Sequence, residues 1–144
     1  MAFSKELSVG NRILDSEHKK LHAIIDGIAL SIAARENIAL LAAFELLENG
    51  LCKYFVIEES IAQAVNLNFA KHKLAHQSLL CQFQRIKDEL TARAKNSMWS
   101  KSEDERCVDS LKDCLIRHIK VDNLQLKIVM DTQFYDFKPD CVGV

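Results

Sequence analysis

Seven residues able to bind a metal or carry a proton stand where apolar side chains are expected: His18, Tyr54, Glu58, His72, His76, His118 and Asp122. Each interrupts a series of apolar positions spaced alternately three and four apart. An unpaired imidazole or carboxylate on such a stripe costs several kcal/mol to bury, and a charged one more. Tyr54/Glu58, His72/His76 and His118/Asp122 are i, i+4 pairs, which point two side chains the same way from adjacent helical turns. Taken singly, each residue has an ordinary explanation: a hydrogen-bonded core histidine, a tyrosine packed with its hydroxyl satisfied, a glutamate at a solvated seam. Taken together, they bring imidazoles and two carboxylates to one level of a bundle, and a divalent or trivalent ion offsets the cost of burying them.

The donor types narrow the metal. A nitrogen-rich set with two carboxylates suits a pair of iron or manganese ions, since each carboxylate can bridge both. Structural zinc more often takes thiolates. The segment His72-Lys73-Leu74-Ala75-His76 has no glutamate after its first histidine, so it is not a zinc-protease helix.

Four elements must position these groups. Leu14, His18, Leu21, Ile25, Ile28 and Ile32 form one stripe. Leu40, Phe44, Leu47, Leu51, Tyr54, Glu58, Ile61 and Val65 form a second. Phe69, His72, His76, Leu79, Phe83, Ile86 and Leu90 form a third, and Val108, Leu111, Leu115, His118, Asp122, Gln125 and Val129 a fourth. Each is one face of an amphipathic helix. Asp15 or Ser16 is expected to cap the first helix and Asn68 the third. Asn37 sits between the first and second. Ser102 followed by Glu105 is a capping-box pattern for the fourth. The expected helices span 15–35, 38–65, 69–94 and 102–131. Short connections make sequential helices antiparallel neighbours, so the expected fold is all-α, an up-down-up-down antiparallel four-helix bundle forming a single domain over 1–144.

Composition agrees. Four glycines and one proline are too few for a turn-rich β protein, and 144 residues suffice for one core. A net charge of -1 gives no reason to expect a nucleic-acid partner. The chain lacks an apolar run of the roughly 20 residues that span a bilayer, and its start does not read as a signal peptide, so no membrane association and a cytoplasmic location are expected. Five cysteines, Cys52, Cys81, Cys107, Cys114 and Cys141, include no Cys-x-x-Cys pair and are expected to be free, buried or half-buried thiols, with a thiolate metal site or redox switch as the alternative.

From about Val9 to Lys127 the chain resembles the hemerythrin family, including its single-domain bacterial forms. Val9-Gly10-Asn11 and Asp15-Ser16-Glu17-His18-Lys19-Lys20-Leu21 are similar to the family's first-helix motif. Tyr54-Phe55-Val56-Ile57-Glu58-Glu59 resembles the second, His-Phe-x-x-Glu-Glu; His72 to His76 resembles the third, and His118-Ile119 the fourth. Each motif alone is weak, and four in order are fairly specific. The resemblance implies two non-heme iron ions joined by an oxo or hydroxo bridge and two carboxylates. By it, His72, His76 and His118 would serve one iron, His18 the other, and Glu58 and an aspartate of the fourth helix would bridge. Dioxygen or a related small ligand would bind the less crowded iron.

Two departures bear on function. Tyr54 replaces the family's second-helix histidine. A phenolate favours ferric iron, which points away from simple oxygen carriage and towards an oxygen or redox sensor that passes its signal to a protein partner. His22, one turn beyond His18 at the edge of the stripe, is expected to lie exposed, and offers a substitute ligand only if it reaches inwards. The family's fourth-helix carboxylate follows its histidine by five residues, which here gives Asn123. Asp122, at four, lies on the buried stripe and is the preferred bridge, unless a local change of helical register presents Asn123. A di-iron enzyme reducing peroxide, nitric oxide or dioxygen, and a degenerate metal-poor interaction module, are the competing readings.

Overall fold

The computed structural model describes residues 11–68, 70–122 and 128. Among them are four α-helices and no strand: α1 (Arg12–Ala33), α2 (Asn37–Ala64), α3 (Ala70–Lys95) and α4 (Lys101–Arg117), with a π turn at His118–Asp122 directly after α4. None of these helices is long and apolar enough to cross a membrane.

The four stripes meet in one core. Leu14, Leu21, Ile25 and Ile28 of α1 are buried against Leu40, Phe44, Leu47 and Leu51 of α2, with Leu79, Phe83 and Leu90 of α3 and Leu111 and Leu115 of α4 closing it. Burying each such side chain contributes roughly 1.5–3 kcal/mol, which is what allows the stripes to carry polar insertions at all. Gly50 lets α1 and α2 approach closely: a Cβ there would meet the Leu21 Cδ2 at 3.1 Å.

Contacts between α2 and α3 run in opposite order along the two helices. Glu58 meets His76 and Glu48 meets Lys87, so moving towards the N-terminus of α2 moves towards the C-terminus of α3. Asp26 of α1 pairs with Lys112 of α4 at 3.1 Å.

The helix ends correct several expectations. α1 begins at Arg12, earlier than expected, because Asn11 caps it: its Oδ1 accepts from the backbone N–H groups of Ile13 and Leu14, both at 3.0 Å. Asp15 and Ser16 lie inside the helix instead. Asn68 does take the capping role at α3, accepting from the Ala70 N–H at 3.0 Å. At α4 the pair is Ser100 with Asp104, whose Oδ2 accepts from the Ser100 N–H at 3.0 Å, rather than Ser102 with Glu105. The other oxygen of Asp104, which is buried, pairs with the half-buried Arg93 of α3.

Within the expected α-helix over 102–131, the described residues are α-helical from Lys101 to Arg117, turn to a π turn at His118–Asp122, and are helical again at Ile128. Expectations resting on Asn123, Gln125, Val129 and Cys141 fall outside the described residues, as do Phe69 and residues 1–10. Cys52, Cys81, Cys107 and Cys114 are free thiols, with Cys107 buried and Cys114 half-buried as expected, but Cys52 and Cys81 are exposed, against the expectation of burial.

Candidate metal centre

The site is built around Glu58. Its carboxylate is fully buried on α2 and is addressed from three directions. The Tyr54 hydroxyl, one turn away on the same helix, donates to Oε1 at 2.7 Å. His76 of α3 and His118 of the π turn approach Oε2 with their Nε2 atoms at 2.6 and 3.4 Å. An ionised carboxylate only accepts, so each of these rings presents its Nε2–H to it.

Burial by itself pushes the Glu58 carboxyl up. The hydrogen bonds from His118 and His76, together with their charge, overcome that and hold it well below the usual carboxylate range. The carboxylate is therefore kept as an anion inside an apolar core.

Glu58, His76 and His118 form a cluster whose three ligand atoms lie within 4.8 Å of one another, all on buried residues. This is the donor chemistry that suits a transition-metal ion: two imidazole nitrogens and one carboxylate oxygen, converging from three elements. The Nε2 atoms that now hold protons towards Glu58 are the atoms that would ligate, once each proton has left Nε2 for Nδ1 or solvent.

The histidines are held by what surrounds them. Phe55 stacks on His76, with ring centroids 3.8 Å apart and planes within 15°. His72 is buried, its ring 6.0 Å from that of His76 and 6.4 Å from that of His118. The three imidazoles assigned by resemblance to one iron are thus neighbours, although only His76 and His118 bring a nitrogen to Glu58.

The other half of the expected site is arranged differently. His18 is fully buried on α1 and meets Tyr54 edge-on, with ring centroids 4.8 Å apart. Tyr54 lies between His18 and the rest of the cluster, and its ring also meets His118 at 5.7 Å. Burial lowers the His18 pKa to about 4, a shift only partly opposed by the charge of Glu58. His18 is thus a neutral imidazole at neutral pH, the form in which histidine ligates.

His22, expected to lie exposed at the edge of the stripe, is instead buried, 4 % exposed. The buried face of α1 is wider than a simple alternation of three and four: Glu17 and His18 are both inside, and so are Leu21 and His22. Burial lowers the His22 pKa, with Asp26 opposing. His22 is not one of the three residues whose ligand atoms converge.

The π turn changes the argument for Asp122. A π turn bonds i to i+5 rather than i to i+4, so it carries one extra residue around the helix. The stripe argument that preferred Asp122 to Asn123 therefore loses its geometric basis. The Asp122 side chain and all of Asn123 lie outside the described residues.

Phe55 is the supporting residue that periodicity passes over. Its neighbour Tyr54 marks the stripe, and Phe55 stands one residue off it, half-buried, reaching His76 from the side. A cavity of about 470 Å³ between α1 and α4, walled by Ile32, Lys101 and Val108, shares no residue with the cluster.

The chain matches no protein-family model, no curated protein and no solved structure.

Proposed function

We propose that this chain is a non-heme iron protein of the hemerythrin type, with an up-down-up-down bundle around a di-iron centre that binds dioxygen or a related small ligand and reports on oxygen or redox state. The observation that carries the reading is the convergence of Glu58, His76 and His118 on one buried point. Three such groups from three elements are costly in a core without a cation to share.

The donors present fit the group. Glu58, His76 and His118 would hold one iron, with His72 beside them. His18 and a carboxylate following His118, Asp122 by chemistry since an amide is a poor bridge, would serve the second. Bound iron supplies a redox-active cation with room for a small ligand. The rest is the work of the chain. Tyr54 holds one oxygen of Glu58 and fixes the carboxylate plane. Phe55 fixes the His76 ring. Burial keeps His18 unprotonated and keeps bulk water from the carboxylate. A signal would leave through a protein partner that responds to the bundle.

One observation favours a second reading, a single ion. The Tyr54 hydroxyl already occupies Glu58 Oε1, the oxygen a bridging carboxylate would turn to a second ion. In that case Glu58 Oε2 and the histidines hold one metal and Tyr54 takes the place of the other. Metal stoichiometry after anaerobic loading with ferrous iron separates the two: about two ions per chain for the di-iron centre, and half that for the single site. Uptake that is unaffected by Glu58→Gln would contradict both.

A further inference from the structure

Away from the buried cluster, α2 and α3 are separated on their outer side by a groove of about 350 Å³, with Leu47, Leu51 and Phe83 in its floor. Two cysteines line it, Cys52 from α2 and Cys81 from α3, and both are exposed free thiols. They also stand at the same height. Glu58 meets His76 and Glu48 meets Lys87, and Cys52 falls between those two contacts. Counting from either contact along the antiparallel pair sets Cys52 level with residues 82–83, so Cys81 is displaced by about 1.5–3 Å at the helical rise. Two thiols on facing helices, at one level, open into one groove.

We propose that Cys52 and Cys81 form a second metal site, a two-thiolate site for a soft, low-coordinate cation of the monovalent copper class. Thiolate sulfur is the soft donor that selects such ions. No histidine lines the groove, and its one carboxylate, Glu48, is held by the Lys87 ammonium at 2.9 Å. The donor set is therefore two sulfurs. A structural zinc site wants four nitrogen or sulfur ligands, which this groove lacks. In the binding step two S–H bonds break, two sulfur–metal bonds form, and two protons leave to solvent. No oxidant or reductant is consumed. The site differs in kind from the Glu58 cluster: soft sulfur at the surface against hard oxygen and imidazole in the core.

The test is an anaerobic titration of the reduced full chain with Cu(I), in competition with a chromophoric Cu(I) chelator. The expected result is about one Cu(I) per chain held against the chelator, with Cys52→Ser and Cys81→Ser each weakening it about 100-fold or more, the usual gain from joining two donors on one scaffold. Cys114→Ser is expected to bind as the parent does. Both tested cysteines are surface residues, and a thermal melt of each variant establishes that it remains folded. The proposal is overturned if the parent chain fails to compete with the chelator, or if either single variant binds Cu(I) as tightly as the parent.

Discussion

Tyr54 donates its hydroxyl hydrogen to Glu58 across one turn of α2, 2.7 Å from oxygen to oxygen, and both side chains are fully buried. The tyrosine that replaces a histidine in the motif thus acts on the carboxylate next to it. It is a donor to an anion in a low-dielectric core, where such bonds are strong.

Tyr54→Phe removes that donor and little else. The metal-free protein is expected to lose about 1.5–3 kcal/mol, the range for a hydrogen bond to a charged group, and the Glu58 carboxyl is expected to protonate at a higher pH. Urea unfolding at pH 7 and a carboxyl titration followed by NMR measure both. An unchanged midpoint and an unchanged titration would mean that the bond contributes nothing to holding the anion.

Stability of the metal-free protein is expected to fall on acidification; the sign follows from the buried His18 and Glu58, and His22, also lowered by burial, acts in the same direction as His18. The native His18 pKa is about 4 against an ordinary 6.5. Between those values the unfolded chain takes up a proton that the native state refuses, so unfolding is increasingly favoured as pH falls from 6.5 to 4. At about 1.36 kcal/mol per unit this amounts to about 3 kcal/mol. The Glu58 carboxyl is depressed, so its contribution is present above its ordinary 4.5 and is lost as pH drops further. Chemical denaturation at several pH values measures the slope. His18→Leu is expected to flatten it between 6.5 and 4; a variant with the parent's slope would remove His18 from the account.

The stripes were legible because burial imposes helical spacing on side chains, and the four helices follow them. His18, Tyr54, Glu58, His72, His76 and His118 all proved buried for the same reason. What periodicity does not encode is which polar residue wins at a helix end. Asn11, Asp15 and Ser16 are all competent caps, and the choice of Asn11 rests on where its Oδ1 meets two N–H groups. Nor does it encode pairings between distant segments: Arg93 and Asp104 lie on no shared stripe, yet they pair beside the start of α4, where Asp104 also accepts from the Ser100 N–H. A spacing of 3.6 residues also cannot foresee a π turn, which broke the register at the point where Asp122 and Asn123 were compared.

That comparison makes its own test. Asp122→Ala is expected to lower iron retention about 10-fold or more, in the range seen for groups that orient or complete a metal site, while Asn123→Ala leaves it unchanged. Metal content after extensive dialysis decides it. The reverse order would show that the π turn restores the five-residue spacing and that the amide side chain faces the centre.

The central claim is that Glu58, His76 and His118 hold a metal ion, and the most direct measurement is element-specific metal analysis of the iron-loaded chain beside Glu58→Gln. The account predicts about two iron ions per chain in the parent, falling by at least one in Glu58→Gln, with a lower melting temperature once the metal is lost because binding stabilises the folded state. A well-folded parent chain that takes up no iron after anaerobic loading, or a Glu58→Gln variant that keeps all of it, would contradict the account.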